Sequence, residues 1–392
     1  MNELQDSILG DLVEFQRGYD LPKDSFVKGE YPVQSSNGIL GYHNEYKVKA
    51  PGITIGRSGT VGIPHLITKN FFPHNTALYV KDFKGNNVHY IYYLLKNLKL
   101  NEYKTGSGVP TMNRNHLHPL KIKAFTDSKY QKSIAAVLSA LDKKIALNKQ
   151  INARLEEMAK TLYDYWFVQF DFPDANGKPY KSSGGDMVFD ETLKREIPKG
   201  WEVKSLGEIE NNIITGKTPS TQCSNFFNGD IPFITIGDIR NNTFIIKTEQ
   251  NLSIEGANNQ KNKYLPEGSL CVSCIATVGL IGFTTRQAQT NQQINSIIFK
   301  HDYNKEFLYF YLKDYFLVGK AKTGNTFANM NKGDFEKILV LYPNLKLLQK
   351  YSNKMVLVFN QINNLSKQNH QLTQLRDFLL PMLMNGQVSV AE

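Results

Sequence analysis

Two long stretches of the chain repeat apolar residues at alternating spacings of three and four. One row in the first stretch runs through Ile134, Leu141, Asn148, Leu155 and Leu162. The rows of the second stretch begin at Leu348 and Tyr351. Such spacing over roughly five heptads is typical of a helix that packs along a seam, although a core helix of a bundle is the alternative. We predict two long helices that pair with each other as a coiled coil.

Positions near the middle of these helices are predicted to form a subunit interface. Several of them are asparagines, which cost stability in a seam but can fix its register and its partner. The predicted interface residues are Leu141, Ile145, Asn148, Asn152, Leu155, Val358, Ile362, Leu365, Asn369 and Leu372.

The segment before each long helix is rich in glycine, asparagine and short runs of β-forming residues. The pattern predicts strands at Ile53–Ile55, Ala77–Val80, Phe233–Ile236 and Ile294–Phe299. A short aromatic helix is predicted late in each segment, near Val88–Leu98 and Lys305–Phe316. Each segment is therefore predicted to be an α+β globule with many loops.

The two globules and their helices are copies of one unit. Thr60–Gly62 recurs as Thr277–Gly279 at an offset of 217, and Met112–Asn113 recurs as Met330–Asn331 at an offset of 218. The offset is 197 at Leu9, so the second copy carries about twenty extra residues before Thr277. A repeat of this length indicates a duplicated domain rather than a solenoid.

This repeat divides the chain into five segments. We expect the first globule at residues 1–127, the first spacer helix at 128–168, a linker rich in proline, glycine and serine at 169–200, the second globule at 201–345 and the second spacer helix at 346–386.

Composition favours an acidic partner in a reducing compartment. The 46 Lys and Arg residues exceed the 36 Asp and Glu residues, which gives a formal charge of +10 and makes nucleic acid the commonest candidate. Three cysteines cannot supply a disulfide framework. The longest uncharged apolar run, Leu270–Phe283, is too short to span a bilayer. We expect a cytoplasmic protein with no membrane partner.

Motifs for catalysis or metal binding are weak. Cys271 and Cys274 lack two further zinc ligands, so we expect neither a metal site nor a catalytic residue. Asp174, Glu202 and Lys204 loosely fit the pattern of a magnesium-dependent nuclease. A single-chain nuclease therefore stays open as an alternative, as does a coiled-coil scaffold that does not bind DNA.

Polar loop residues recur at matching places in both globules. Arginine and lysine read guanine edges, and asparagine and glutamine read adenine edges. The predicted DNA-binding residues of the first globule are Arg17, Tyr19, Ser36, Asn37, Arg57, Ser58, Ser107, Asn113 and Arg114. Those of the second globule are Lys217, Thr218, Thr235, Arg240, Gln292, Asn325, Asn331 and Lys332.

Several motifs together resemble one known family over nearly the whole chain. They are the duplicated globule, the loops Thr105–Asn113 and Thr323–Asn331, the helix starts at Gln131 and Gln349, the run Trp166–Asp171 and the run Ile197–Glu208. In these features the chain resembles the DNA specificity subunit of type I restriction–modification systems.

The resemblance implies an α+β fold with two tandem, similar target recognition domains. Two long helices would form an antiparallel coiled coil that separates the domains with pseudo-twofold symmetry. Each domain would read one half of a bipartite target in double-stranded DNA. The helices would dock two methyltransferase subunits, and motor-nuclease restriction subunits would join them. S-adenosylmethionine, ATP and magnesium would bind those partners, so this chain would hold no cofactor and catalyse nothing.

Overall fold

The computed structural model describes residues 3–102, 111–323 and 329–390. The chain folds into two compact units. The first comprises Met1–Ala146 and Gln371–Glu392, and the second comprises Leu147–His370. Both long helices cross from one unit to the other, so each unit contains part of both helices.

The first unit is built mainly from short strands. They are β1 (Gln5–Ile8), β2 (Glu14–Arg17), β3 (Tyr31–Ser35), β4 (Gly38–His43), β5 (Gly52–Gly56), β6 (Pro64–Ile67), β7 (Phe72–Pro73), β8 (Ala77–Asp82) and β9 (Lys121–Ala124). The helices that begin in this unit are α1 (Leu9–Leu12), α2 (Val88–Asn97), α3 (Arg114–Leu117) and α4 (Ser128–Tyr163).

A four-stranded sheet in the order β2-β8-β5-β6 carries the core of this unit. Ile53 and Ile55 of β5 are fully buried and pack with Ile91 and Leu95 on the apolar face of α2. Asn87 caps α2, because its side chain accepts a hydrogen bond from the backbone N–H of Tyr90 at 3.0 Å. A second sheet has the order β4-β3-β7, and β1 pairs with β9.

The second unit contains a longer set of elements. Its strands are β10 (Met187–Asp190), β11 (Arg195–Pro198), β12 (Glu202–Ser205), β13 (Ile213–Thr215), β14 (Phe227–Ile234), β15 (Phe244–Ile245), β16 (Gln250–Leu252), β17 (Leu270–Ser273), β18 (Ile281–Thr284), β19 (Gln289–Thr290), β20 (Ile294–Ile297) and β21 (Leu339–Tyr342). The further helices are α5 (Leu206–Ile209), α6 (Ile236–Ile239), α7 (Ile254–Asn258), α8 (Lys305–Thr323), α9 (Lys332–Glu336) and α10 (Leu345–Met384).

The β-rich parts of the two units share one topology. We name residues 3–127 the first head and residues 201–344 the second head. The sheet order β13-β20-β17-β18 repeats the order β2-β8-β5-β6, and the parallel pair β14-β19 repeats β3-β7. The second head adds β15 at the sheet edge. This common topology confirms the predicted duplication of an α+β domain.

The extra residues of the second head lie between β14 and β17. Matching backbone hydrogen bonds join His74 to Gln34 in the first head and Asn291 to Ile234 in the second, so the offset is still 200 at Gln34. The segment after β14 includes α6, β15, β16 and α7, where the first head has only β4 and a loop. The prediction of a strand through Ile236 was wrong, because α6 begins at that residue.

The long helices pair in antiparallel fashion. In the second unit, Asn148 of α4 donates to Gln368 of α10 at 2.6 Å, and Asn152 donates to Ser366 at 3.1 Å and to the carbonyl of Ile362 at 3.3 Å. The partners' numbers fall along α10 as the numbers rise along α4. The predicted antiparallel pairing is therefore confirmed.

The first unit holds the other end of this helix pair. Arg376 forms an ion pair with Asp142 at 2.8 Å, and the hydroxyl of Tyr93 donates to the same carboxylate at 2.7 Å. Leu138 of α4 and Leu383 of α10 are buried in the same apolar cluster. An ion pair and an apolar core thus hold the two helices together within this unit.

The predicted linker, residues 169–200, is packed within the second unit. Phe170 and Phe172 are buried, and both rings lie 5.4 Å from the ring of Trp201. The hairpin of β10 and β11 follows. The division of the chain at residues 127, 168, 200 and 345 remains a prediction, whereas the compact units divide within the long helices.

Candidate nucleic-acid interface

One loop of the first head holds several predicted DNA-binding residues together. This loop, residues 74–76, joins β7 to β8. The backbone N–H groups of Arg57 and Ser58 donate to the carbonyl of Thr76 at 2.9 and 3.2 Å. The N–H of Ser36 donates to the Thr76 hydroxyl at 3.4 Å. The loops after β3 and β5 therefore meet at residue 76.

The loop after β2 joins the same group. The N–H of Tyr19 donates to the carbonyl of Pro73 at 2.8 Å, and its phenol oxygen lies 3.1 Å from that of Tyr79. Burial, followed by this hydrogen bond, raises the pKa of Tyr79 well above its usual value. Arg17 donates to Asp20 at 3.0 Å. The buried phenol of Tyr79 therefore stays neutral and hydrogen-bonds to Tyr19, while the guanidinium of Arg17 is exposed.

The repeated Met-Asn motif has a structural role in both heads. Met112 is buried, and its N–H donates to the carbonyl of Arg57 at 2.9 Å. Asn113 caps α3 by accepting from the N–H of Asn115 at 3.0 Å. In the second head, Asn331 caps α9 by accepting from the N–H of Asp334 at 2.9 Å. Capping explains why asparagine stands at this point of each copy.

Residues 290–293 form the corresponding junction in the second head. The N–H of Lys217 donates to the carbonyl of Thr290 at 2.9 Å, and the N–H of Cys274 donates to that of Gln293 at 2.8 Å. Thr218 donates its hydroxyl to Oε1 of Gln292 at 2.7 Å. Lys217, Thr218 and Gln292 are therefore brought together.

Three other predicted residues of the second head have local partners or stand apart from this junction. Thr235 donates its hydroxyl to Asp238 at 2.8 Å and so participates in the cap of α6. Arg240 follows α6 and is exposed. Lys332 forms an ion pair with Glu336 at 3.4 Å within α9.

The predicted DNA-binding residues differ in how far they are exposed to solvent. Ser36 is only 6% exposed, so its side chain offers little surface to a ligand. Half-buried residues are Arg57, Ser58, Thr218 and Thr235. Exposed residues are Arg17, Tyr19, Asn37, Asn113, Arg114, Lys217, Arg240, Gln292, Asn331 and Lys332. Ser107 and Asn325 lie outside the described residues. The DNA-binding role of all these residues remains a prediction.

Two residues that the fold brings to these junctions were not predicted from the sequence. Asn75 donates its side-chain amide to the carboxylate of Asp20, fifty-five positions away in the chain. Asn329 accepts from the N–H of Ala276 at 3.4 Å. The only local signal for Asn75 was its place in a short polar run between two predicted strands. Nothing local marked Asp20 as its partner.

The predicted interface residues lie along the helix pair. Ile145, Asn148, Ile362 and Leu365 are at most 8% exposed. The half-buried members are Leu141, Asn152, Leu155, Val358, Asn369 and Leu372. Asn148 and Asn152 contact α10 directly, whereas Val358 packs against the apolar core of the second unit. A role of these residues in binding other subunits remains a prediction.

A nuclease that depends on magnesium needs a cluster of metal ligands, and the described part of the chain contains none. No group of three or more His, Cys, Asp or Glu residues in it could hold a metal ion. Asp174 accepts from the N–H groups of Asn176 and Lys178 in a turn, and Lys204 pairs with Glu202 at 2.6 Å. Burial raises the pKa of the Cys271 thiol, which disfavours the thiolate form that binds metals.

No described helix has the length and hydropathy needed to cross a membrane.

Comparison with known proteins identifies the family. The model of the type I restriction modification DNA specificity domain matches residues 1–157 and 198–374, one match for each head and most of the helix that follows it. The chain belongs to this family. It is a specificity subunit with two recognition domains, and specificity subunits are the non-catalytic components of restriction–modification complexes.

Individual relatives agree with this assignment. The specificity subunit is 36% identical over 314 residues to the HindI specificity subunit of Haemophilus influenzae, covering 67% of this chain and 68% of that protein. It is 29% identical over 315 residues to the MjaIX specificity subunit of Methanocaldococcus jannaschii, covering 77% of this chain and 69% of that one. The crystal structure of the S subunit from M. genitalium shares the fold, with a TM-score of 0.60 at 17% identity, and the match covers 97% of this chain and 96% of that chain.

Proposed function

We propose that each head of this specificity subunit reads one half of a bipartite target in double-stranded DNA. The observation that carries the proposal is the repeated backbone frame with different side chains. Arg57 and Cys274 donate matching backbone bonds at 2.9 and 2.8 Å, yet one presents a half-buried guanidinium and the other a buried thiol. A shared frame with unlike side chains suits two heads that recognise unlike sequences.

The paired helices would set the distance between the half-sites. Helix α4 has 36 residues and is therefore about 54 Å long at about 1.5 Å per residue. One turn of DNA is about 34 Å, so helices of this length can space two readers by a turn or more. Asn148, which is buried in the seam, would hold one register and therefore one spacer length.

The chemistry would come from other chains in the cytoplasm. Two methyltransferase subunits would dock on the helices and bring S-adenosylmethionine, and motor-nuclease restriction subunits would bring ATP and magnesium. This chain would then hold no cofactor of its own. Its excess of positive charge would attract DNA phosphates, so affinity should fall steeply as salt rises.

Co-expression with the methyltransferase subunit of the same system tests the proposal. Modified bases are mapped on plasmids that carry a library of random sequences. We expect one split target with a fixed gap between its halves. Modification without sequence preference would overturn the proposal. Cleavage by the purified chain with Mg²⁺ alone, lost in Lys204→Ala, would favour the nuclease, and DNA binding with neither salt dependence nor sequence preference would favour the scaffold.

A further inference from the structure

Each head contains one pair of side chains at an equivalent place. In the first head, the N–H groups of Gly18 and Tyr19 donate to the carbonyls of Ala77 and Pro73 at 3.0 and 2.8 Å. In the second head, Gly216 and Lys217 donate in the same way to Ile294 and Thr290 at 3.0 and 2.9 Å. The next residues along the chain are Asp20 and Thr218, so these two correspond. Asn75 and Gln292 correspond on the facing loops.

A glycine allows the two loops to approach closely in each head. A Cβ atom on Gly18 would lie 2.1 Å from the carbonyl oxygen of His74. A Cβ atom on Gly216 would lie 2.2 Å from that of Asn291. Since no side chain fits at either position, the close approach that places the pairs is built into both copies.

The pair of the first head leaves one hydrogen-bond acceptor, on the half-buried Asn75, without a partner among the described residues. Asn75 donates its Nδ2 group to Oδ1 of Asp20, and Arg17 donates to the same oxygen at 3.0 Å. A carboxylate can only accept, so the amide of Asn75 must turn its nitrogen inward. The backbone carbonyl of Asn75 accepts from Nη1 of Arg57 at 3.4 Å. The side-chain oxygen Oδ1 of Asn75 makes no hydrogen bond to the described residues and could accept one from a ligand. Arg17 balances the charge of Asp20, which reduces repulsion of DNA phosphates.

The pair of the second head leaves a hydrogen-bond donor unpaired instead of an acceptor. Thr218 donates its hydroxyl to Oε1 of Gln292 at 2.7 Å. The Nε2 group of Gln292 is then the free end of the amide, with two N–H donors that meet no acceptor in the described part of the head. Gln292 is exposed, so this donor faces solvent.

We propose that these two pairs determine specificity and that they read base edges of opposite hydrogen-bonding character. Asn75 would accept from the amino group of adenine or cytosine in the major groove. Gln292 would donate to an acceptor such as guanine O6 or N7, adenine N7 or thymine O4. The inference rests on the proposed function and adds one base position in each half-site, with its chemistry.

The test uses the full chain assembled with methyltransferase subunits and a pool of duplexes randomised over the target. Gln292→Glu replaces both donors by acceptors with little change of shape, and Gln292→Met removes hydrogen bonding without adding charge. Asp20→Asn supplies a donor, so the amide of Asn75 is no longer held in one orientation. Gln250→Glu adds the same negative charge at an exposed residue of the second head and is the matched control.

Sequencing of the retained duplexes separates the outcomes. We expect Gln292→Glu and Gln292→Met to lose roughly tenfold discrimination or more at one position of one half-site. Asp20→Asn should relax one position of the other half-site, and Gln250→Glu should retain the wild-type target. Unchanged discrimination in both Gln292 variants overturns the inference while the proposed function stands. A wild-type complex that retains no preferred sequence overturns the proposed function itself.

Discussion

Asn148 on α4 donates its side-chain amide to Oε1 of Gln368 on α10 at 2.6 Å, and Asn148 is fully buried. Its carbonyl oxygen is also buried and finds no partner among the described residues. A polar group in this position costs stability, since a desolvated oxygen without a hydrogen bond is unfavourable. What it can provide is a fixed register, because slippage of the helices would separate the amide from Gln368.

Asn148→Leu should therefore stabilise the subunit and loosen its spacing. We expect an increase of about 1 kcal/mol in the free energy of unfolding, or roughly 2–4 °C in Tm. The assembled complex should then modify targets with more than one gap length. Calorimetry and methylation mapping measure the two effects. Asn364→Leu, at an exposed position of α10, is the control. A lower Tm together with an unchanged gap would contradict this role for Asn148.

Shortening both helices by one heptad should change the gap. Deletion of residues 147–153 and 362–368 preserves the heptad spacing of both helices and shortens each by about 10 Å. This corresponds to about three base pairs of DNA at about 3.4 Å each. We expect a gap shorter by about that number, or loss of assembly, with both half-site sequences retained. The deletion also removes Asn148 and Gln368 together, so the shortened gap should vary in length as it does in Asn148→Leu. A complex that assembles and keeps the original gap would contradict the role of the helices in spacing.

Glu306 should make the second unit less stable as pH rises. Its carboxylate is buried beside Ser352, and burial raises its pKa from 4.5 to about 7. The folded state therefore binds this proton more tightly than the unfolded state does. The resulting stabilisation is complete below pH 4.5 and is lost as pH rises through 7. It amounts to something on the order of 3 kcal/mol.

Thermal unfolding between pH 5 and pH 8 checks this prediction. We expect the Tm of wild type to fall between pH 5 and pH 8 and that of Glu306→Gln to fall much less. Glu306→Gln should therefore unfold at a higher temperature than wild type at pH 8. Glu267→Gln, at an exposed residue of the same unit, should behave as wild type. A Glu306→Gln variant whose Tm declines with pH as steeply as that of wild type would show that another group is responsible.

Asn331 should act through its cap rather than through a base. Asn331→Ala removes the acceptor for the N–H of Asp334 and should cost about 1 kcal/mol. Asn331→Ser restores an acceptor and most of that stability. Both variants should select the wild-type DNA target. A changed target for Asn331→Ser, with stability restored, would instead assign this residue a DNA contact.

The sequence was most informative where a pattern is long. Rows over about five heptads predicted the helix pair, and self-similarity predicted two heads of one fold. The sequence was least informative about contacts between residues that are far apart along the chain. The bond between Asp20 and Asn75 depends on which strands are neighbours in the sheet, and no local pattern reveals that. Burial of Ser36 under its neighbouring loops was hidden for the same reason.

Exchange of one head tests whether the two heads read DNA independently. Residues 1–125 are replaced by the corresponding segment of a specificity subunit with a different target, and the complex is assembled with the same methyltransferase subunits. Modified sites are then mapped on a plasmid library. We expect one half-site to take the sequence read by the protein that supplied the new head, while the other half-site and the gap remain unchanged. A simultaneous change in both half-sites would contradict independent reading by two heads.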